Sequence, residues 1–343
     1  MSARVRLLND SEACRWDAFV ATCPQAGFFH RAGWREVIET TFGHRCHYLY
    51  AEEAGAITGV LPLVHVSSLL FGKSLVSTAF CVYGGPATVN AEATRTLMRH
   101  AEQLGLDLGV DRLEYRNRRP VEPEGHCSSD LYVTFRKKMA PDPQANLLAV
   151  PRKQRAMVRK GIKAGLQSEI DQDVDRLFDM YSASVRNLGT PVFPKALFRN
   201  LKTVFGDDCE VLTVTSDGQP LSSVMSFFFR DEVLPYYGGG VSRARELAAN
   251  DFMYWEVMRR ACEKGCRLFD FGRSKEGTGS CAFKKHWGFE PEPLHYQYKL
   301  PRGGELPEIN PLNPKYRLLI GAWKRMPLWL ANRVGPMIAR NLG

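Results

Sequence analysis

The sequence predicts two tandem α/β (α+β) domains with mixed, mainly antiparallel sheets, followed by a basic helical tail. Three observations carry this. Tyr83-Gly84-Gly85 recurs as Tyr237-Gly238-Gly239, each time at the end of an apolar, strand-like run. From Gly84 to Arg112-Leu113 is 28 residues, and from Gly238 to Arg267-Leu268 is 29. In both intervals a helix-like segment and a glycine turn lead into a short strand. A repeat of this size is no solenoid period and implies two related domains.

The elements follow in order. Residues 11–42 read as helical, broken at Cys23-Pro24-Gln25-Ala26-Gly27. Strands are expected at 46–51, 57–66 and 75–82, the first two joined at Gly55. A helix over 91–106, a strand over 112–116, a polar loop over 117–129, a strand over 131–135 and a linker over 139–147 complete the first half. The second half repeats the order. Helices are expected at 173–187 and after Pro194, then strands at 211–215, 221–230 and 233–237 around an Asp217-Gly218 turn. Asn250 or Asp251 is the expected cap of a helix over 252–264. A strand over 268–271, a short helix over 280–286 and a strand over 294–300 close it. Domain boundaries are placed at 1–148 and 149–300, with a helical tail at 301–343. No Gly-x-Gly-x-x-Gly follows a strand and no P-loop is present, which excludes those nucleotide folds.

At 343 residues the chain can bury two cores, and its net charge of +9 favours anionic partners. No apolar run is long enough to span a bilayer. Nine cysteines at scattered spacing predict reduced thiols in a cytoplasmic protein. No metal site is expected. Cys262 and Cys266 lack a second pair, and His44, Cys46 and His47 would alternate across a strand.

Three stretches carry candidate chemistry. Residues 151–163 hold six cations and no acid. Helical spacing puts Arg152, Arg155, Arg159 and Lys163 on one face, suited either to phosphate or to a solvated linker helix. Residues 269–279 run from a strand into a turn with three glycines, crowding Asp270, Arg273, Ser274 and Glu276. Such a turn can aim backbone amides at an anion or a developing oxyanion, or be an ordinary loop. Lys284 follows, able to steady negative charge, or else a surface lysine beside an aromatic anchor. From Lys315 to Arg340 there are six cations and no acid, with Trp323 and Trp329. One helical face there groups Tyr316, Leu319, Ile320 and Trp323, and a second groups Leu330, Val334, Met337 and Ile338. The pair suits a membrane interface or packing on the body of the protein.

Phe269-Asp270-Phe271-Gly272-Arg273-Ser274, Phe283-Lys284 and Trp287-Gly288-Phe289, after a Tyr-Gly-Gly strand, resemble the FemAB-like branch of the GNAT acyltransferases. The basic stretch Arg152 to Lys163 resembles it too. Gly59 to Leu63 and Phe71 to Ser77 are similar to the subgroup associated with exosortase (PEP-CTERM) and exopolysaccharide systems. The resemblance covers roughly residues 28 to 300 and implies two tandem GNAT-like domains. It also implies acyl or aminoacyl transfer from acyl-CoA or aminoacyl-tRNA, with no tightly bound cofactor. The acceptor would be an amine on an envelope polysaccharide or peptidoglycan precursor, phosphate-bearing or lipid-linked. The family's Phe-Lys pair falls on Phe283 and Lys284, with the lysine near the transferred carbonyl. A coiled-coil arm like that of the Fem enzymes is lacking, and the acetyl-CoA loop Arg-x-x-Gly-x-Gly is met only by Gly238-Gly239-Gly240-Val241-Ser242-Arg243 in a different order.

The resulting expectation is a cytoplasmic N-acyltransferase, peripheral to the inner face of the membrane if its tail binds there. Lys284, Asp270 and Glu276 are the catalytic candidates. Tyr237, Gly238, Gly239, Arg273, Ser274, Phe283, Arg152, Arg155, Arg159 and Lys163 are the substrate-binding candidates. The rival expectation is a non-catalytic protein that docks on anionic membrane or exopolysaccharide-synthesis partners.

Overall fold

The structure, a computed structural model, describes residues 4–68, 72–121, 127–129, 131–303 and 314–343. Along the chain come β1 (Arg4–Leu7), α1 (Ala13–Thr22), α2 (Gly33–Phe42), β2 (Arg45–Glu53), β3 (Ala56–Ser68), β4 (Gly72–Ser77), β5 (Ala87–Thr88), α3 (Ala91–Asp107), β6 (Arg112–Asn117), β7 (Cys127–Ser129) and β8 (Tyr132–Lys138). Next are α4 (Pro143–Ala149), α5 (Arg152–Lys163), β9 (Gln167–Asp171), α6 (Asp175–Leu188), α7 (Lys195–Phe205), β10 (Cys209–Ser216), β11 (Gln219–Phe229) and β12 (Glu232–Gly240). Then follow α8 (Arg243–Glu246), α9 (Ala249–Glu263), β13 (Leu268–Asp270), β14 (Ser274–Lys275), α10 (Gly279–His286), β15 (Pro291–Pro293), β16 (His295–Lys299), α11 (Pro314–Arg325) and α12 (Leu328–Ala339).

Two sheets form. The first runs β1-β2-β3-β4-β6-β16-β7 and the second β9-β10-β11-β12-β13-β8-β14, with β5 on β3 and β15 on β8. The pairings match step for step. Each sheet opens with three antiparallel contacts, then one parallel pair, β4 with β6 and β12 with β13. Each parallel pair is followed by an antiparallel strand from the other half of the sequence, β16 on β6 and β8 on β13. The hairpins repeat in finer detail. Ala54-Gly55 and Asp217-Gly218 all have positive φ, as a two-residue hairpin turn of right-handed twist requires. In each hairpin the third residue after the turn, Thr58 or Leu221, is the extra residue of a bulge.

Compact units reflect this exchange. One comprises residues 1–132, 293–309 and 340–343, and the other 133–292 and 310–339. The sheets therefore cross the linear boundary placed at 148, because pairing partners for strands 132–138 and 295–299 are remote in sequence. In the first unit α3, capped by the Asn90 side chain, buries Leu97, Met98 and Ala101 with Leu61, Leu63, Leu75 and Leu113. In the second, α9 buries Trp255, Met258 and Ala261 with Phe135, Val233 and Phe269.

Several local expectations are corrected. The strand expected over 75–82 ends at Ser77, and Thr78 and Phe80 take positive φ. The apolar run continues as buried loop, so Tyr83-Gly84-Gly85 lies outside any strand whereas Tyr237-Gly238-Gly239 lies within β12. The expected linker over 139–147 contains α4, whose first-turn amides Gln144 and Ala145 donate to Asp142. No side chain caps α9; its cap position is Ala248 in the left-handed region, and Asp251 lies inside the helix. Part of the polar loop over 117–129 and the segment 304–313 lie outside the described residues, as do the side chains of Tyr316 and Leu319. Among the described residues no helix is long and apolar enough to cross a membrane, and no group of metal-ligating side chains assembles.

Candidate acyl-transfer site

Lys284 is the most unusual residue of the second unit. Helix α10 begins at Thr278, whose side chain accepts from Cys281 N, and its first turns carry Phe283 and Lys284 inward. Lys284 is buried, and its ammonium donates to Gly272 O at 2.9 Å and Arg273 O at 3.1 Å. Its Nζ also lies 5.5 Å from the centre of the Phe135 ring. Burial pushes its pKa down to about 8, against the opposing pull of Asp270. A lysine near neutrality can exist in both protonation states at working pH, a property matched to proton transfer or to charge stabilisation.

The turn that Lys284 grips is shaped by Asp270. Its buried carboxylate accepts from Gly272 N at 2.7 Å, from Arg136 Nε at 3.1 Å and from Thr134 Oγ1 at 3.4 Å. Arg136 also pairs with Glu232, tying the turn to the first residue of β12. Gly272 needs its positive φ of 66° to close this turn. Ser274 is buried and accepts from Ser280 Oγ at 3.3 Å, Arg273 is half-buried and Glu276 is exposed. Phe283 packs with Tyr254, Phe271 and Trp287 at ring separations of 5.6, 6.3 and 6.2 Å.

Beside this turn the sheet opens. Strands β12 and β13 pair only at Glu232–Leu268 and Val233–Phe269, while β12 runs on to Gly240. On its other edge β12 carries a bulge: Met225 faces Tyr237 and Ser226 faces Pro235, leaving Tyr236 as the extra residue. A bulge frees a residue from the ladder, and a parallel pair that separates exposes backbone groups that a substrate carbonyl can use. Tyr237 itself points into an aromatic core, with Phe198 at 5.2 Å, Tyr181 at 5.9 Å and Phe193 at 6.0 Å. Gly239 is explained by packing, since a Cβ there would stand 2.4 Å from Met180 O of α6. Gly238 sits on the same strand, paired with Val224.

Helix α5 brings Arg152, Arg155, Arg159 and Lys163 together with Lys160 along a depression of about 420 Å³. Its inner side, Gln154, Val158 and Gly161, is buried against α9. A Cβ on Gly161 would meet Phe252 Cβ at 2.8 Å, so glycine permits the close approach. Gln154 donates to Asp251, which also accepts from Trp287 Nε1 at 3.2 Å. Asp251 thus joins α5, α9 and α10, and burial raises its pKa.

A cavity of about 670 Å³ in the first unit was not expected from the sequence. Gly84, Gly85, Asn90, Arg95, Arg118 and Arg119 are among its lining residues. His30 shapes it: Nδ1 accepts from Gly27 N at 3.1 Å, which leaves Nε2 to donate to Gly85 O at 2.8 Å. A Cβ on Gly85 would lie 1.9 Å from Asn117 Oδ1. The Tyr-Gly-Gly repeat and the Arg118-Arg119 pair were its only sequence signals. Arg136, Asp251 and the Tyr236 bulge were also missed, because each acts through partners distant in sequence.

The fold is matched by comparison with known proteins. Residues 152–285 match the family model for an acetyltransferase (GNAT) domain. A search of curated proteins finds no match. Among solved structures, FemX is 16% identical with a TM-score of 0.70, covering 87% of this chain and 97% of its own. A tandem GNAT protein from the clavulanic acid biosynthesis pathway is 15% identical with a TM-score of 0.53, covering 89% and 100%. The C-terminal domain of a putative lysylphosphatidylglycerol synthetase from Agrobacterium fabrum is 14% identical with a TM-score of 0.58, covering 87% and 93%. The protein therefore has a tandem GNAT-like fold, and its match to the acetyltransferase (GNAT) domain model lies in the second unit.

Proposed function

We propose that the second unit catalyses N-acyl transfer from an activated donor, acyl-CoA or an aminoacyl-tRNA, to an amine. The observation that carries this reading is the opening between β12 and β13, flanked by the Tyr236 bulge and the buried Lys284. The neutral amine attacks the donor carbonyl, forming the new C–N bond. The tetrahedral oxyanion is stabilised by freed β12 amides and the Lys284 ammonium. Collapse breaks the C–S bond of the thioester, or the C–O bond of the ester, and the amine's surplus proton passes to solvent or to the leaving group. Asp270 holds the turn under Lys284, and Glu276 is the acid on that turn exposed to act as a base. Positioning supplies much of the rate in such a reaction, so no single base need be indispensable.

The acceptor in this reading is the amine of a phosphate-bearing or lipid-linked saccharide of an envelope polymer. Arg95, Arg118 and Arg119 line the first-unit cavity and are suited to a phosphate group. The basic face of α5 is suited to phosphates of the donor. The likeness in fold to FemX and to a lysylphosphatidylglycerol synthetase domain supports keeping an aminoacyl-tRNA donor beside acyl-CoA. The subgroup associated with exosortase and exopolysaccharide systems is the family setting proposed.

The test is direct. The purified protein is incubated with acyl-CoA or aminoacyl-tRNA and an amine panel that includes amino sugars, and product is read by mass spectrometry. Wild-type turnover that Lys284→Ala lowers by about 10²–10³ supports the reading. Folded protein that transfers from neither donor, yet binds anionic saccharide, returns it to the non-catalytic alternative.

A further inference from the structure

Helix α12 is built the wrong way round for a helix that only packs on its own protein. Its buried positions are the small residues Ala331, Gly335 and Ala339. Gly335 lets it approach Val192 so closely that a Cβ would lie 2.9 Å from that residue's backbone N. Asn332 donates to Ser182 Oγ at 3.4 Å on α6. The large apolar residues face outward instead: Trp329 is 69% exposed and Met337 68%. With Arg333 between them they stand at i, i+4 and i+8, one stripe along the solvent face. The expectation from sequence grouped Met337 with Leu330, Val334 and Ile338 on a common apolar side; those three are half-buried at the flanks of the stripe.

The exposed charges carried by α12 and the end of α11 have one sign. Lys324, Arg325 and Arg333 are exposed, and no Asp or Glu follows Glu308 in the sequence. Of six tryptophans, five are 9% exposed or less, and Trp329 alone is open. An exposed indole and thioether with a cation between them on one helix face, and two more exposed cations just before that helix, match a surface that is anionic outside and apolar just beneath. A lipid headgroup layer has that chemistry: the indole sits at the interface, the cations meet the phosphates.

We propose that the outward face of α12 docks the protein on an anionic bilayer surface, with Trp329 and Met337 inserted and Arg333, Lys324 and Arg325 on the headgroups. This rests on α12 and the exposed end of α11, and stands whether or not the second unit transfers acyl groups. The test uses the full chain with vesicles of phosphatidylcholine alone and with phosphatidylglycerol added. Pelleting with the anionic vesicles only is expected, together with a blue shift of tryptophan emission and quenching by acyl-chain-brominated lipid. Trp329→Phe should pellet but lose the shift and the quenching, since the remaining tryptophans are buried. Arg333→Gln should weaken binding roughly five-fold, and Trp329→Ser with Met337→Ser should abolish it. These positions are exposed, so circular dichroism should be unchanged. Absence of pelleting, pelleting in full by the double serine variant, or a shift that persists in Trp329→Phe would each overturn the proposal. So would pelleting that occurs without any shift, which would mark a purely electrostatic contact made elsewhere.

Discussion

The two units share strand order, hairpin turn and hairpin bulge, yet differ where chemistry would occur. In the first unit β3 and β4 pair in unbroken register from Leu63–Ser77 to Ser68–Gly72. In the second, the corresponding pair β11 and β12 is interrupted by Tyr236. Each unit also buries a cation against carbonyl oxygens, but of different kinds. Arg116 donates to Glu114 at 2.8 Å and to Cys81 O at 2.6 Å. Burial disfavours its charge, yet Glu114, together with Tyr296 and Tyr298, more than compensates and its pKa is raised. Lys284 is bonded to carbonyls instead of to a carboxylate, and its pKa falls to about 8. One scaffold thus carries a fixed ion pair in one copy and a titratable amine in the other. On the proposed reading the first cation is structural and the second, Lys284, is reactive.

Removing each cation's function in turn tests this division of roles. Lys284→Ala should lower kcat by about 10²–10³, the range for losing one oxyanion-stabilising donor, with little change in KM. Full turnover in a folded variant removes Lys284 from the mechanism. The ammonium form should be the active one, so the kcat profile should fall as pH rises through about 8. Lys284→Arg, which stays protonated, should lack that limb even if slower. Stability should move the opposite way. Between about 8 and the usual lysine value the unfolded chain holds a proton that the folded one has released, so stability rises with pH across that window and the gain is absent below it. Unfolding free energies of wild type and Lys284→Met on both sides of pH 8 check the sign. In the first unit, Glu114→Gln leaves Arg116 buried without its counter-ion and should cost about 3 kcal/mol, read in the denaturant transition of that unit. An unchanged transition would mean that the carbonyls alone hold the arginine.

How legible this was depends on the range of the interactions. Local signals worked: the Asp217-Gly218 turn, the amphipathic pattern of α6, the basic face of α5 and the Thr278-started helix with Lys284 all follow from neighbours in sequence. The duplication was visible in spacing, although Tyr83-Gly84-Gly85 proved to be loop rather than strand end. Burial there made an apolar loop look like a strand. Sheet membership was not legible, because nothing near residues 132–138 or 295–299 names their distant partners. Nor was the role of Asp251, whose place near a helix start read as a cap although its partners are Gln154 and Trp287. The glycines after Tyr237 illustrate the same limit. They read as a substrate-binding signal, and Gly239 meets the close approach of α6.

The two basic surfaces also differ between the units, and their substitution should change binding only modestly. The first unit gathers Arg95, Arg118 and Arg119 around a cavity of about 670 Å³, whereas the second spreads its cations along one open helix face. A cavity suits one compact phosphate group; an open row suits an extended chain of phosphates. Arg159→Gln with Arg152→Gln tests the row, since Arg155 also ties α5 to Leu148 O at 2.8 Å and its loss would disturb the helix start. If the donor is an aminoacyl-tRNA, the pair should weaken donor binding about tenfold and reduce the salt slope, because each lost phosphate contact releases one fewer counterion. If the donor is acyl-CoA, its few phosphates can engage only part of the row, and the change should be smaller, with a shallow slope before and after. Titration of both donors at two salt concentrations separates these outcomes. Equal affinity of wild type and variant for both at low salt would leave α5 a solvated helix packed on α9.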